Sequence, residues 1–157
     1  MRKLLFVFAA LGLAGSLWAA DPIIGTWKLN VAKSNYWALL QSNMRELTSV
    51  YRELETGQIE VAATGTRTDG STISFKGIFP RQGGIAKGQT DSAPEGLSSI
   101  VTVIDPYTFY LTILENGKQI LVYHSTISKD GKTKRDRYKG IDDNGKAYEG
   151  VEMSDKQ

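Results

Sequence analysis

Few residues of this sequence could carry out catalysis. The 157-residue chain contains one histidine, His124, and no cysteine, which excludes thiol nucleophiles and thiolate metal sites. His124 lies in an apolar run, so we expect it to be a strand residue with a local partner; the alternative is a ligand contact or a pH-sensitive group. A catalytic site would start from His124 with Asp136 or Tyr138, and an enzyme is the least favoured function.

The densest group of charges occupies residues 132–139, with the sequence Lys-Thr-Lys-Arg-Asp-Arg-Tyr-Lys. In a strand, one face would carry Arg135, Arg137 and Lys139, and the other would carry Lys134, Asp136 and Tyr138. One interpretation is a solvated outer face. The other turns Arg135 or Arg137 inward, where the guanidinium stacks on Trp27 or meets an anionic head group.

Large aromatic side chains in the predicted strands are the second set of candidates. They are Tyr51, Phe75, Phe79, Phe109 and Tyr123, and they would either line a pocket or form a plain core. The candidate ligand-binding residues are these five together with Trp27, His124, Arg135, Arg137 and Tyr138. We expect no catalytic residue, no metal site and no cofactor.

The first 20 residues have the features of a secretory signal peptide. Arg2 and Lys3 precede an apolar run over residues 4–13, and small residues lead to Ala19 and Ala20 before Asp21. The run is shorter than the roughly 20 apolar residues that a transmembrane helix needs. We therefore expect cleavage within residues 16–21, one mature domain over residues 21–157, and a periplasmic or secreted protein without stable membrane insertion.

The charges of the expected mature chain are balanced. The sequence has 19 basic and 17 acidic residues, and removal of Arg2 and Lys3 leaves 17 of each. Composition therefore gives no case for a nucleic-acid partner or for an anionic membrane surface. We expect a monomer that is stabilised by its core and its sheet hydrogen bonds, since it has no disulfide.

From Met44 onward the sequence alternates between strand-like runs and turns that end in glycine. These turns end at Gly57, Gly70, Gly117, Gly131 and Gly145, a regular spacing that predicts an up-and-down meander. Nine strands are predicted, over residues 23–30, 44–54, 58–67, 71–79, 97–104, 108–114, 118–128, 132–141 and 146–153. We expect an all-β, antiparallel up-and-down barrel of eight to ten strands, because closure removes the exposed sheet edges.

Two segments interrupt this pattern. Residues 31–43 predict either a short helix or helical turn capped by Ser34 or an irregular loop, with Tyr36, Trp37, Leu39 and Leu40 over one end of the barrel. Residues 80–96 are rich in glycine and proline and predict the longest loop, with at most residues 85–87 pairing. This loop is either the rim of a ligand cup or a tolerated surface insertion.

The segment Gly25-Thr26-Trp27 resembles the opening motif of the calycins, the superfamily of lipocalins, fatty-acid-binding proteins and avidins. With Lys28-Leu29 and Ala32-Lys33-Ser34 it looks like the start of small exported bacterial lipocalin-like proteins. The resemblance implies a barrel with Trp27 buried at one end. It also implies that an arginine from late in the chain, Arg135 or Arg137, packs across Trp27.

The likeness to fatty-acid-binding proteins is more distant. Those proteins hold a fatty-acid carboxylate with a basic residue and a tyrosine on a late strand, for which Arg135, Arg137 and Tyr138 are the comparable residues. Their Arg-x-Tyr spacing is not repeated here, and residues 31–43 are too few for the two helices that those proteins insert.

The residues and the resemblance together predict an exported, non-catalytic barrel that binds a small apolar, lipid-like or fatty-acid-like molecule. The alternative is an interaction or inhibitor protein with a filled core.

Overall fold

The computed structural model describes residues 21–35, 44–88, 96–142 and 144–157. The predicted signal peptide, residues 36–43 with the predicted Tyr36, Trp37, Leu39 and Leu40 contacts, and residues 89–95 of the predicted loop lie outside this part of the chain. Within it, no helix is long and apolar enough to span a membrane.

Ten antiparallel strands form one closed barrel. They are β1 (Gly25–Leu29), β2 (Met44–Glu53), β3 (Gln58–Arg67), β4 (Thr72–Pro80), β5 (Gly84–Gly88), β6 (Leu97–Asp105), β7 (Thr108–Glu115), β8 (Lys118–Ile127), β9 (Thr133–Ile141) and β10 (Ala147–Lys156). Each strand pairs with its neighbours along the chain, and β1 pairs with β10 to close the barrel. The predicted all-β up-and-down barrel of eight to ten strands is confirmed.

The five turn glycines that indicated hairpins all adopt positive φ angles, between 69° at Gly131 and 85° at Gly70. Glycine reaches this left-handed region without the steric penalty that a Cβ atom brings. The sequence spacing of these glycines therefore reports the lengths of the strands between them.

The tenth strand, β5, lies within the segment that was predicted to be a loop. Gly83 and Gly84 both have positive φ, and a Cβ atom on Gly83 would lie 2.8 Å from the carbonyl oxygen of Val101. These glycines let the chain turn and run directly beside β6. Gly83 and Gly84 therefore allow two strands to pair closely. In the sequence, glycines that do this look the same as glycines in a loop.

A single turn of 3-10 helix, Val31–Lys33, follows β1, which confirms the predicted helical turn. Ser34 does not start this turn, and a helix that Ser34 caps would fall on residues 36–43, outside the described part of the chain. The cap is Asn30, whose Oδ1 accepts a hydrogen bond from the backbone N–H of Lys33 at 3.2 Å. Ser34 follows the turn and ties it to β10, since its Oγ accepts from the backbone N–H of Met153 at 3.0 Å.

The inward-facing side chains divide the interior of the barrel, which we call the lumen, into two walls. The apolar wall is formed by Ile59, Val61, Phe79 and Val101, with Leu111 and Tyr51 packed against them. The polar wall is formed by Lys134, Asp136, Glu152 and Ser154 on β9 and β10, all buried. An interior of this kind matches a molecule that is apolar over most of its surface and polar at one point.

Candidate ligand-binding site

Trp27 is buried on the lumen face of β1. Its side chain is only 1% exposed and packs with Ile23 and Ile127. The indole Nε1 donates a hydrogen bond to the backbone carbonyl of Ile23 at 2.7 Å, which satisfies the polar edge of a buried ring.

The cation that packs across Trp27 is a lysine from β10 and not an arginine from β9. Lys156 Nζ lies 5.2 Å from the centre of the Trp27 ring and donates a hydrogen bond to the carbonyl of Pro22 at 3.0 Å. Gly25 makes room for it, because a Cβ atom there would lie 2.6 Å from Lys156 Cε. The Gly-x-Trp spacing thus allows a long cationic side chain to cross the indole.

Arg135 and Arg137 are exposed on the outer face of β9, so the interpretation that turned one of them inward is wrong. The strand alternates as predicted, but Lys134, Asp136 and Tyr138 occupy the lumen. The inward face is favoured because Lys134 and Asp136 form an ion pair there, and each charge keeps a partner on burial.

Lys134, Asp136 and Glu152 form the centre of the polar wall, and we call these three residues the interior polar cluster. Glu152 is the partner of Asp136 in the β9–β10 register, so both side chains enter the lumen side by side. Asp136 is 5% exposed and Glu152 is 6% exposed. Within the described part of the chain, Asp136 Oδ1 and Glu152 Oε1 are buried with no hydrogen-bond partner.

Burial controls the ionisation of this cluster. Burial, with the nearby charge of Asp136, raises the pKa of Glu152 from 4.5 to about 8, against the opposing effect of Lys134. Burial also disfavours the ammonium of Lys134, but the charges of Asp136, Tyr51 and Glu152 outweigh it and hold the pKa of Lys134 above its ordinary value. At pH 7 Glu152 is therefore mostly neutral, beside a charged lysine–aspartate pair.

Tyrosines surround the interior polar cluster. Lys134 Nζ lies 5.8 Å from the centre of the Tyr51 ring, across the lumen from β9. Burial raises the pKa of Tyr51, and it raises the pKa of Tyr123 well above the ordinary value, with the negative charges of Glu152 and Asp136 adding to both shifts. Both phenols therefore stay protonated and neutral at physiological pH.

Two glycines allow the tyrosine rings to lie flat on the barrel wall. Gly150 is paired with Tyr138 across β9 and β10, and Gly140 is paired with Tyr148. A Cβ atom at either glycine would overlap the partner's phenol ring. Tyr138 also packs against Tyr123, with 5.6 Å between ring centres.

We expect Gly150→Ala to lower the free energy of unfolding by about 1–3 kcal/mol, because its Cβ would displace the Tyr138 ring. The matched control is Gly88→Ala, where a Cβ atom has no neighbour within 4 Å, and we expect a change within about 0.5 kcal/mol. Urea unfolding of both variants measures the difference. Equal effects at the two positions would contradict the observed packing.

Phe75 lies on the lumen face of β4, where it is paired with Ala63, and 43% of its surface is exposed. Among the described residues, β5 pairs with β4 through Gly77↔Gly88 and Ile78↔Lys87.

His124 lies on the outer face of the barrel and not in the lumen. It stacks on Tyr110, with 4.7 Å between ring centres and 12° between planes, and is paired with Arg137 in the β8–β9 register. Asp136 and Tyr138 point to the other side of the wall. The structure therefore does not bring together the three residues from which an enzyme site would have started.

Seven of the ten candidate residues lie on the lumen side of the barrel, with Phe75 partly exposed: Trp27, Tyr51, Phe75, Phe79, Phe109, Tyr123 and Tyr138. His124, Arg135 and Arg137 are on the outer face. In the described ranges, no group of three or more histidine or acidic residues could hold a metal ion.

Sequence reasoning missed Glu152, Lys134 and Lys156. The available signal was the two-residue alternation of strands, which puts Lys134 on the same face of β9 as Tyr138 and Glu152 on the same face of β10 as Gly150. It identifies which residues share a face but not which face is inside.

Two of the cavities that residues of the described ranges line lie near the candidate site. One of about 160 Å³ lies beside Asn35 where Arg137, Lys139 and Glu149 border β9 and β10. The other, of about 30 Å³, lies at the apolar wall between Phe79, Val101 and Phe109. Both are smaller than the roughly 300–1,000 Å³ of sites that hold drug-sized ligands.

No protein-family model and no curated protein matches this sequence. The fold is similar to that of the fluorescent protein UnaG, with a TM-score of 0.60 and 12% identity over 87% of this chain and 98% of that one. For a single-site mutant of UnaG the TM-score is 0.58 and the sequence identity is 14%, over 87% of this chain and 97% of that one. For lobster apocrustacyanin A1 the TM-score is 0.46 and the sequence identity is 13%, over 88% of this chain and 63% of that one. This chain therefore has the closed antiparallel β-barrel fold that UnaG also has.

Proposed function

We propose that this protein is an exported, non-catalytic barrel that binds one small, mostly apolar molecule in its lumen. Its fold is that of ligand-binding barrels. The observation that carries the proposal is the divided lumen, in which an apolar wall faces two buried carboxylate oxygens without partners. Export is supported by the charged start, apolar run and small residues of the first 20 positions.

Unpartnered buried oxygens support binding because they are costly. A buried acceptor that loses its hydrogen bonds to water costs roughly 1–3 kcal/mol, and such groups are rare in folded proteins. Two of them on neighbouring strands, at paired positions, are accounted for by a polar group that reaches them from the lumen. The rest of the molecule would then lie against Val61, Val101 and Leu111.

The cavities at the apolar wall and beside Asn35 are small, so side chains around the lumen must move when a ligand enters.

The test is titration of protein purified without detergent with Nile red, a neutral fluorescent lipophile, followed by competition with decanol. We expect saturable binding with a dissociation constant in the micromolar range, on the order of −8 kcal/mol. Val101→Phe, which fills the lumen, should weaken it at least about tenfold.

Ile85→Phe is the matched control, since Ile85 is 71% exposed on the outer face of β5. Circular dichroism establishes that both variants fold. Equal binding by the two folded variants would place the ligand outside the lumen, and the lack of saturable binding by the unmodified protein would refute the proposal.

A second candidate is an interaction protein that uses its surface and keeps a filled barrel. The small cavities favour it, as does the exposed Ile85, which pairs with Ile100 on the outer face. This candidate predicts that Nile red does not bind saturably.

A further inference from the structure

We propose that the lumen selects molecules with an amine head group, held as an ammonium between the carboxylates of Glu152 and Asp136, in preference to fatty acids. This inference rests on the lumen binding proposed above. The expected polar end of the ligand is thus an amine. The resemblance to fatty-acid-binding proteins would suggest a carboxylate instead.

The geometry favours a hydrogen-bond donor. The two oxygens without partners, Asp136 Oδ1 and Glu152 Oε1, belong to residues paired across β9 and β10. Both residues are more than nine-tenths buried, so water is a poor substitute partner. An ammonium group carries three donors and no acceptor, so one such group has donors enough for both oxygens.

The charges favour a cation. Asp136 is already neutralised by Lys134, so an ionised Glu152 leaves one negative charge without a counter-ion in the polar wall. Tyr51 and Tyr123, which face the cluster from β2 and β8, stay neutral at physiological pH. An ammonium ligand makes the site neutral, and buried charges are tolerated only when they are paired in this way.

A fatty-acid carboxylate is disfavoured by the same groups of the polar wall. It would add a second negative charge beside Asp136 in a buried site, and like charges there repel. The lysines that face the lumen are both engaged, since Lys134 pairs with Asp136 while Lys156 contacts Pro22 and Trp27. Recognition of an acid would require one of these contacts to break.

Binding of an ammonium ion has a proton balance that can be measured. Glu152 is mostly protonated at pH 7 in the unliganded barrel, because burial raises its pKa. When the alkylammonium enters from solution already charged, Glu152 ionises and its proton passes to the buffer. We expect about one proton released per amine bound at pH 7, and none for a neutral alcohol of the same length.

The experiment compares decylamine, decanol and decanoate as competitors of Nile red at pH 7. We expect the amine to compete at least about tenfold better than the alcohol, and the alcohol better than the acid. Calorimetry of decylamine binding in phosphate and in Tris, buffers with different ionisation enthalpies, gives the number of protons released.

The key variant is Glu152→Gln, which should remove proton release and reduce the preference for the amine over the alcohol by about tenfold. Its control is Glu149→Gln, an exposed carboxylate on the same strand that pairs with Lys139 outside the barrel, which should change neither. If decanoate competes as well as decylamine, the inference is overturned although lumen binding stands. If Nile red itself does not bind, the proposed function fails first.

Discussion

Lys134→Met lowers the free energy of unfolding by about 3–5 kcal/mol, the largest effect that we expect of a substitution on β9. The variant removes the ammonium but keeps Asp136, which is 5% exposed and enters the lumen beside Glu152. Asp136 would then be either a buried charge without a partner or a second protonated carboxyl group. Both states cost more than the apolar methionine side chain gains.

Urea unfolding at pH 7 measures this effect, with Lys139→Met as its control. Lys139 is on the same strand, but its side chain is exposed and its pairing with Glu149 outside the barrel is long, at 3.5 Å. We expect a change within about 0.5 kcal/mol for the control.

The double variant Lys134→Met/Asp136→Leu tests the cause of the loss. It replaces the whole pair with apolar side chains and should recover much of the stability. A double variant that is less stable than Lys134→Met would show that the loss does not come from an unpaired Asp136.

Glu152 makes the barrel less stable as the pH rises from about 5 to 8. Its pKa is raised from 4.5 to about 8 in the folded state, so over this interval the folded protein holds a proton that the unfolded chain has lost. Stability falls with pH wherever the folded state binds more protons. We expect a loss on the order of 3 kcal/mol across the interval, complete once the pH exceeds the folded pKa.

Glu152→Gln removes the titrating group and should flatten this part of the pH profile, so that the variant exceeds the unmodified protein in stability at pH 8. Glu149→Gln should keep the slope. Thermal or urea unfolding at several pH values measures the profiles. An unchanged slope in Glu152→Gln would contradict the burial of the Glu152 carboxyl group.

Glu60 has the opposite pKa shift. Hydrogen bonds from Arg52 and Lys76 lower the pKa of Glu60, so its contribution to stability is lost only as the pH falls below the ordinary value of 4.5.

The barrel was predictable because its information is local. Turn glycines such as Gly57 and Gly131 specify where each hairpin reverses, and the apolar runs between them specify the strands. The motif residues Gly25 and Trp27 then indicate how one end is closed. β5 was predicted only as a possible pairing of residues 85–87 within a loop, because glycines at its start permit either a loop or a close strand pair, and the position of Val101 decides between them.

The polar wall was not predictable because it depends on which face of β9 turns inward. Arg135 and Arg137 on one face and Lys134 and Asp136 on the other are equally polar in the sequence. The choice is made by partners elsewhere in the chain. Glu152 comes to lie opposite Asp136, and Gly150 leaves room for the Tyr138 ring. Lys156 was missed for a similar reason, since its approach to Trp27 requires the barrel to be closed.

The pairing of Trp27 with Lys156 also has a consequence for how the chain folds. These residues are about 130 positions apart, so β1 and β10 can join only after the intervening hairpins have brought the ends of the chain together. Every other seam of the barrel is made between neighbours in sequence and costs little chain entropy. Barrel closure is therefore the slow, long-range step of folding, and until it is complete the edges of β1 and β10 are open to pairing with other chains.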